Sequence, residues 1–231
     1  MSEPAFTFTF HDTAHDLHGT VRSGMTLLFD HGQPSTLAEE ARVDGVRAAV
    51  GDQIALDFDP VSDAADLGGT VARVGRVRGQ VNGQRVECLG VVSETATPPS
   101  WSEVDAVRTI ACVFDPGLAV LALALRPIGA RGHGDEKVTG WLVRDGAPQS
   151  VEDTRISTVY DGDGRQRTAG LELWLPGEDF PRRVSGSARA GASLTLEGLR
   201  VHAAVFAWRM EGRDGIGAYD ILVRDVPDTA A

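Results

Sequence analysis

The stretch "FTFTFHDTAHDLHGTVRSGMTLLFDHGQP", residues 6–34, decides how this chain folds. Phe6, Phe8 and Phe10 alternate strictly with threonines, and side chains that repeat every second residue share one face of an extended strand. Further on, Asp30-His31-Gly32 supplies residues that accept the positive φ of a tight turn. The same two signals recur along the chain. Alternating runs stand at 54–58 (IALDF), 71–81, 171–175 (LELWL) and 193–210, and Asn82-Gly83, Asp145-Gly146, Asp161-Gly162-Asp163-Gly164, Glu197-Gly198 and Gly212-Arg213-Asp214-Gly215 punctuate them. Such spacing predicts roughly fifteen short strands and an all-β, antiparallel protein.

A second window, "LALALRPIGARGHGDEKVTGWLVRDGAP" at 121–148, looks like a copy of the first. At an offset of 115 residues, Phe6 falls on Leu121, His18-Gly19 on His133-Gly134, and Gly83 on Gly198; a one-residue slip then brings Gly32 and Pro34 onto Gly146 and Pro148. The chain is therefore expected to consist of two similar β halves, 1–112 and 113–231, packed as one unit. An antiparallel sheet of that size must roll up or pair to cover its apolar face and its edges. Two small barrels side by side and two curved sheets over one core both satisfy this, and in both the seam between the halves is a natural place for a cavity. Residues 97–110 (TPPSWSEVDAVRTI) interrupt the pattern with a capping box, Ser100 and Glu103, so a short helix or a lid-like loop is expected near the middle.

Composition narrows the function. A formal net charge of −11 disfavours nucleic acid, which requires clustered cations. No apolar run approaches the ~20 residues of a membrane helix, and "MSEPAFTFTF" lacks the basic start and continuous apolar core of a secretory signal, so a soluble, cytoplasmic protein is expected. Cys88 and Cys112 sit in apolar strand-like runs and read as small buried hydrophobes rather than a disulfide. No phosphate-binding loop, G-x-S-x-G elbow or paired CxxC occurs, and "DGDGRQR" (161–167) lacks the distal carboxylate of a calcium loop. No cofactor is expected.

Two stretches, "GARGHGDEKVTGWL" (129–142) and the closing "WRMEGRDGIGAYDILV" (208–223), together with the paired halves, resemble the lipocalin-like superfamily that includes AttH, hydroxyneurosporene synthase and tocopherol cyclase-like proteins. That resemblance implies a lipocalin-like β fold and an apolar ligand more than it implies a reaction; the superfamily holds hydratases, cyclases and pericyclases beside proteins without known activity.

Candidate site residues follow from side-chain chemistry. His133, with Asp135 and Glu136 beside it, is the best acid/base group, because a neighbouring carboxylate can hold an imidazole near neutrality; the alternative is that its flanking glycines mark only a strand bulge. Trp141, Trp174, Trp208 and Tyr219 sit in alternating strands, where they line a ligand cavity or fill a core, and His18 shares the fate of His133 if the halves match. His11, His15 and His18 with Asp12 and Asp16 have ligand chemistry, but a loop between strands enforces no common face, so no metal is expected. The leading expectation is a protein that binds an apolar small molecule such as a lipid, isoprenoid or polyketide. The alternatives are a cofactor-independent hydratase, cyclase, isomerase or pericyclase acting on such a molecule, and a structural or self-association module; a homodimer is left open.

Overall fold

A computed structural model of the chain describes residues 4–196 and 198–224; Glu197 of the Glu197-Gly198 turn lies outside them. Nineteen strands occur among the described residues, more than the fifteen expected because several runs are broken by two-residue turns. The first ten are β1 (Ala5–Asp12), β2 (Leu17–Arg22), β3 (Met25–Asp30), β4 (Gln33–Leu37), β5 (Ala41–Val43), β6 (Arg47–Val50), β7 (Ile54–Pro60), β8 (Ala65–Asp66), β9 (Thr70–Val81) and β10 (Gln84–Thr95). The other nine are β11 (Val104–Asp115), β12 (Leu118–Pro127), β13 (Lys137–Arg144), β14 (Ala147–Ser150), β15 (Asp153–Tyr160), β16 (Gln166–Trp174), β17 (Arg182–Leu196), β18 (Leu199–Met210) and β19 (Arg213–Arg224).

Two antiparallel sheets result, and they follow one path. The first runs β4-β3-β2-β1-β10-β9-β7-β6-β5, with β8 on β9, and the second β14-β13-β12-β11-β19-β18-β17-β16-β15. In each, the opening strand pairs with the closing one. Each closure also carries a glycine that the approach of the two backbones demands: a Cβ on Gly90 of β10 would lie 2.1 Å from the Thr9 carbonyl oxygen of β1, and one on Gly217 of β19 would lie 1.8 Å from that of Ala111 in β11.

That path corrects the residue matching read from the sequence. The offset of 115 sets Phe6 of β1 against Leu121 of β12, whereas the sheet order makes β11 the counterpart of β1. His18-Gly19 lies inside β2, while His133-Gly134 lies in a 3-10 turn, His133–Asp135, before β13. The shifted match does fall on corresponding hairpins: His31 (φ 48°) and Gly32 (φ 75°) join β3 to β4, and Asp145 (φ 53°) and Gly146 (φ 79°) join β13 to β14. Two successive positive φ values match the right-handed twist of the flanking strands.

The sheets part between Thr95 and Val104, so a division at 112/113 falls within β11. Of the two readings of 97–110, the loop is the one that forms. The Glu103 amide closes one turn onto the Ser100 carbonyl at 2.8 Å; beyond it, the β-branched Val104, Val107, Thr109 and Ile110 continue as β11, where such side chains pack better than in a helix.

Alternation sorts each strand's side chains between two environments. In the N-terminal half, Phe8, Phe10, Leu28, Phe58 and Val77 enclose an interior of their own; in the C-terminal half, Ile110, Cys112, Leu142, Phe206, Trp208 and Tyr219 do the same. The opposite faces meet along a seam. One apolar patch there joins Leu67, Val74 and Val91 to Val107, Leu121 and Val143, and another joins Met25, Leu27 and Phe29 to Val201, Ala203 and Val205. The arrangement is two half-barrels side by side. No helix among the described residues is long and apolar enough to cross a membrane.

Candidate functional site

Against the first of these seam patches lies a cavity of about 430 Å³, walled by β1, β2, β9 and β10 on one side and β11, β12 and β19 on the other. Its walls are mainly aliphatic, with Ala72, Val91, Val107, Leu121, Leu123 and Leu222 among them. The exposed Thr97, Ser100 and Glu103 and the half-buried Pro99 of the connecting loop border it, as does Lys137, the chain's single lysine.

A buried carboxyl and a half-buried guanidinium face this cavity. On β19, Ala218, Asp220 and Leu222 point to the seam, while Tyr219 and Ile221 point into the C-terminal half. Asp220 is 7% exposed, and burial pushes its carboxyl up to about 6, against the smaller opposing effects of the Arg22 guanidinium and the Ala204 amide. Arg22 reaches the same cavity from β2. Its Nη2 donates to the Met25 thioether at 3.4 Å, and its buried Nε has no partner. Opposite them in register stand Thr7 and Thr109, paired with Arg22 and Asp220 respectively, and both line the cavity.

The acid/base group read from the sequence is elsewhere. His133 does not line the cavity; it caps a polar array at the mouth of the C-terminal interior. Its Nδ1 lies 2.8 Å from Glu136 Oε1 and its Nε2 3.2 Å from the Tyr160 hydroxyl. Glu136 is ion-paired with Arg108, and both side chains are almost wholly buried. Arg108 Nη1 in turn donates to Tyr219 Oη at 3.2 Å and to Thr158 Oγ1 at 3.3 Å. Partial burial, followed by the nearby cations Arg108 and Arg126, lowers the His133 pKa and favours the neutral imidazole. Asp135 is exposed and accepts the Arg131 amide at 2.9 Å.

The aromatic candidates are also dispersed. Trp208 is buried in the C-terminal half, stacked on Phe206 at 4.9 Å, and Tyr219 meets the same Phe206 edge-on. Trp174 lies half-buried with the Arg155 guanidinium 5.8 Å from its ring centre. Trp141 packs against the seam and donates from Nε1 to the Asp66 carbonyl at 2.6 Å, tying one half to the other.

His18 belongs to the far end of the seam, where it faces His11 across the β1–β2 ladder with ring centres 5.6 Å apart. Burial, then the proximity of His18, lowers His11 to about 3, and neither ring nitrogen has a partner. His15 and His18 are held instead by Asp12 at 2.7 Å and Asp16 at 3.2 Å. His11 borders a second, more open cleft of about 760 Å³. Among the described residues, no three His, Cys, Asp or Glu side chains converge as metal ligands. Cys88 and Cys112 are free thiols, and burial raises both pKa values.

Arg22, Asp220 and Arg108 are the charged groups that motif reading passes over. For Arg108 and Asp220 the signal is a charge inside an apolar run, "AVRTIACV" and "GAYDILV", because such a residue is seldom buried without a partner or a role; Arg22, in "GTVRSGM", has no such signal.

No protein-family model matches the sequence, and no curated protein matches it. Solved structures do. A protein from Nitrosomonas europaea, provisionally assigned as AttH, superimposes with a TM-score of 0.61 at 11% identity, covering 96% of this chain and 92% of its own. Kievitone hydratase from Nectria haematococca gives 0.59 at 9% identity, covering 95% of this chain and 88% of its own. This chain therefore has the two-half, lipocalin-like fold that those two proteins share.

Proposed function

We propose that the protein binds an apolar small molecule of lipid, isoprenoid or polyketide character in the seam cavity. The observation that carries this reading is a cavity of about 430 Å³ with aliphatic walls from both halves, beside two interiors that are already occupied by packed side chains. That volume suits a small ligand. Each ~100 Å² of apolar ligand surface taken out of water contributes about 2.5 kcal/mol.

A second reading, a cofactor-independent enzyme acting on such a molecule, is favoured by one feature: a carboxyl group with a pKa of about 6 faces the apolar cavity. A group of that strength both donates and accepts protons near neutral pH. In this reading Asp220 has the acid/base role in the seam cavity.

Native mass spectrometry of the purified protein tests both. A co-purified lipid or terpenoid is expected on the parent chain and absent from Ala111→Phe, which fills the cavity; a parent chain that carries no ligand, and binds none when offered lipid extract, rejects the binding reading. Incubation of the loaded protein in D₂O is the second arm. Deuterium entering ligand C–H positions in the parent but not in Asp220→Asn supports catalysis, and an unlabelled ligand in both limits the protein to binding.

A further inference from the structure

We infer that the ligand of the seam cavity carries a carboxylate head, seated between Arg22 and Asp220 with its apolar tail along the aliphatic walls. This inference rests on the binding reading above and names the class of molecule bound.

The argument starts from β2. Its alternation turns Val21 into the N-terminal interior and Arg22 to the seam. A guanidinium offers five donors in a planar fork that matches a carboxylate. Placed out of water, those donors cost free energy unless they are used. Here the only side-chain acceptor of Arg22 among the described residues is the Met25 sulfur at 3.4 Å, a weak acceptor, while Nε is buried and unpaired. No carboxylate of the described residues lies within the 4.0 Å of an ion pair with it, although Asp220 is near enough to act through its charge. Arg108, whose Nε is likewise buried and unpaired, is treated differently at its terminal nitrogens, which have Glu136, Thr158 and Tyr219 around them. Arg22 thus has the donors of an anion site and lacks the internal anion.

Asp220 completes the recognition. A protonated carboxyl donates one hydrogen bond to the incoming carboxylate while the guanidinium supplies the others, and the Thr7 and Thr109 hydroxyls stand beside them in register. The remaining charged groups lining the cavity, Glu103 of the loop and Lys137 of β13, belong to its exposed border. The wall between is mainly aliphatic, with hydroxyls such as those of Thr9, Thr70 and Ser93 set among its apolar side chains. Charge inside the cavity at one place, with mainly aliphatic surface elsewhere, describes a molecule with a single anionic end.

Calorimetric titration with decanoate and with 1-decanol, which share one chain and differ in the head, tests this. The parent chain is expected to prefer decanoate by about ten- to a hundredfold, the worth of one or two charge-assisted hydrogen bonds. Arg22→Met is expected to remove that preference and leave decanol affinity within about threefold. Equal affinity of the parent for both probes overturns the inference and leaves the apolar-binding reading standing; failure of both probes to bind the parent overturns the two together. A loss of both probes on Arg22→Met shows a structural role and overturns the inference. A measurement on the parent alone guards against a variant that does not fold. Titration at pH 7 in buffers of different ionisation enthalpy is expected to show proton uptake with decanoate, as Asp220 is held protonated beside the new anion, and none with decanol; absence of uptake with decanoate counts against the seat.

Discussion

The two halves follow the same strand order and enclose different chemistry. The N-terminal interior is aliphatic and aromatic, with Phe8 and Phe58 meeting edge-on at 5.8 Å. At the corresponding closing strands of the other half, β11 and β19 contribute Arg108 and Tyr219, and a buried ion pair with Glu136 occupies the mouth of the interior. The backbone path is thus indifferent to what its inner faces carry. One interior carries a buried ion pair at its mouth; the other is lined by packed apolar side chains.

The largest expected effect breaks that contrast directly. Glu136→Gln leaves the Arg108 guanidinium buried without a counter-charge and should lower stability by about 3–5 kcal/mol in urea unfolding, whereas Arg108→Leu combined with Glu136→Leu, which makes this interior as apolar as its counterpart, should lie within about 1 kcal/mol of the parent. A double variant as weak as the single one would show that the array is required for packing rather than for charge balance.

A smaller effect concerns the other face of β19. Asp220 titrates at about 6 in the folded chain, against an ordinary value of 3.8, so the folded state holds this proton more tightly than the unfolded one. Its contribution to stability is fully present below pH 3.8 and is lost as the pH rises through about 6. Above that, the ionised group is buried at a cost of about 3 kcal/mol, at 1.36 kcal/mol per pH unit. Asp220→Asn should therefore be more stable than the parent at pH 8 by up to about 3 kcal/mol, with the difference closing by pH 4. Thermal unfolding across that range measures it, and a difference that does not change with pH would mean that Asp220 ionises alike in both states.

The smallest effect tests how firmly the unlike halves are joined. Trp141→Phe keeps the ring against the seam and removes its hydrogen bond to the Asp66 carbonyl, at a cost of about 0.5–1.5 kcal/mol. Hydrogen exchange should report it as faster opening around β8 and β13, with the closing ladders of both sheets unchanged.

Much of this fold is legible in the sequence for local reasons. Strict alternation in FTFTF, and the His31-Gly32 and Asp145-Gly146 turns, act within a few residues, so period and turn chemistry reveal them. The matching of the halves is less legible, since His18-Gly19 and His133-Gly134 agree in letters but lie in a strand and a 3-10 turn. Strand order depends on pairings such as Ala5 with Thr95, and these have no local signature. Of the site, Glu136 and His133 are adjacent in the chain and stand out together. Arg22 and Asp220 belong to different sheets and share a cavity only after the halves dock.

The pairing of first strand with last has a consequence for the growing chain. As residues emerge in order, β1 waits for β10 before the N-terminal sheet is continuous, and β11 waits in the same way for β19. Contacts so distant in sequence form late, because a long loop must close first. In the interval the first half presents Leu27, Phe29, Val74 and Val91 to water, since the surface that covers them has yet to be made. This is the period when the chain is most open to mispairing and capture by chaperones, and the cavity, with a wall from each half, is the last part of the molecule to come into being.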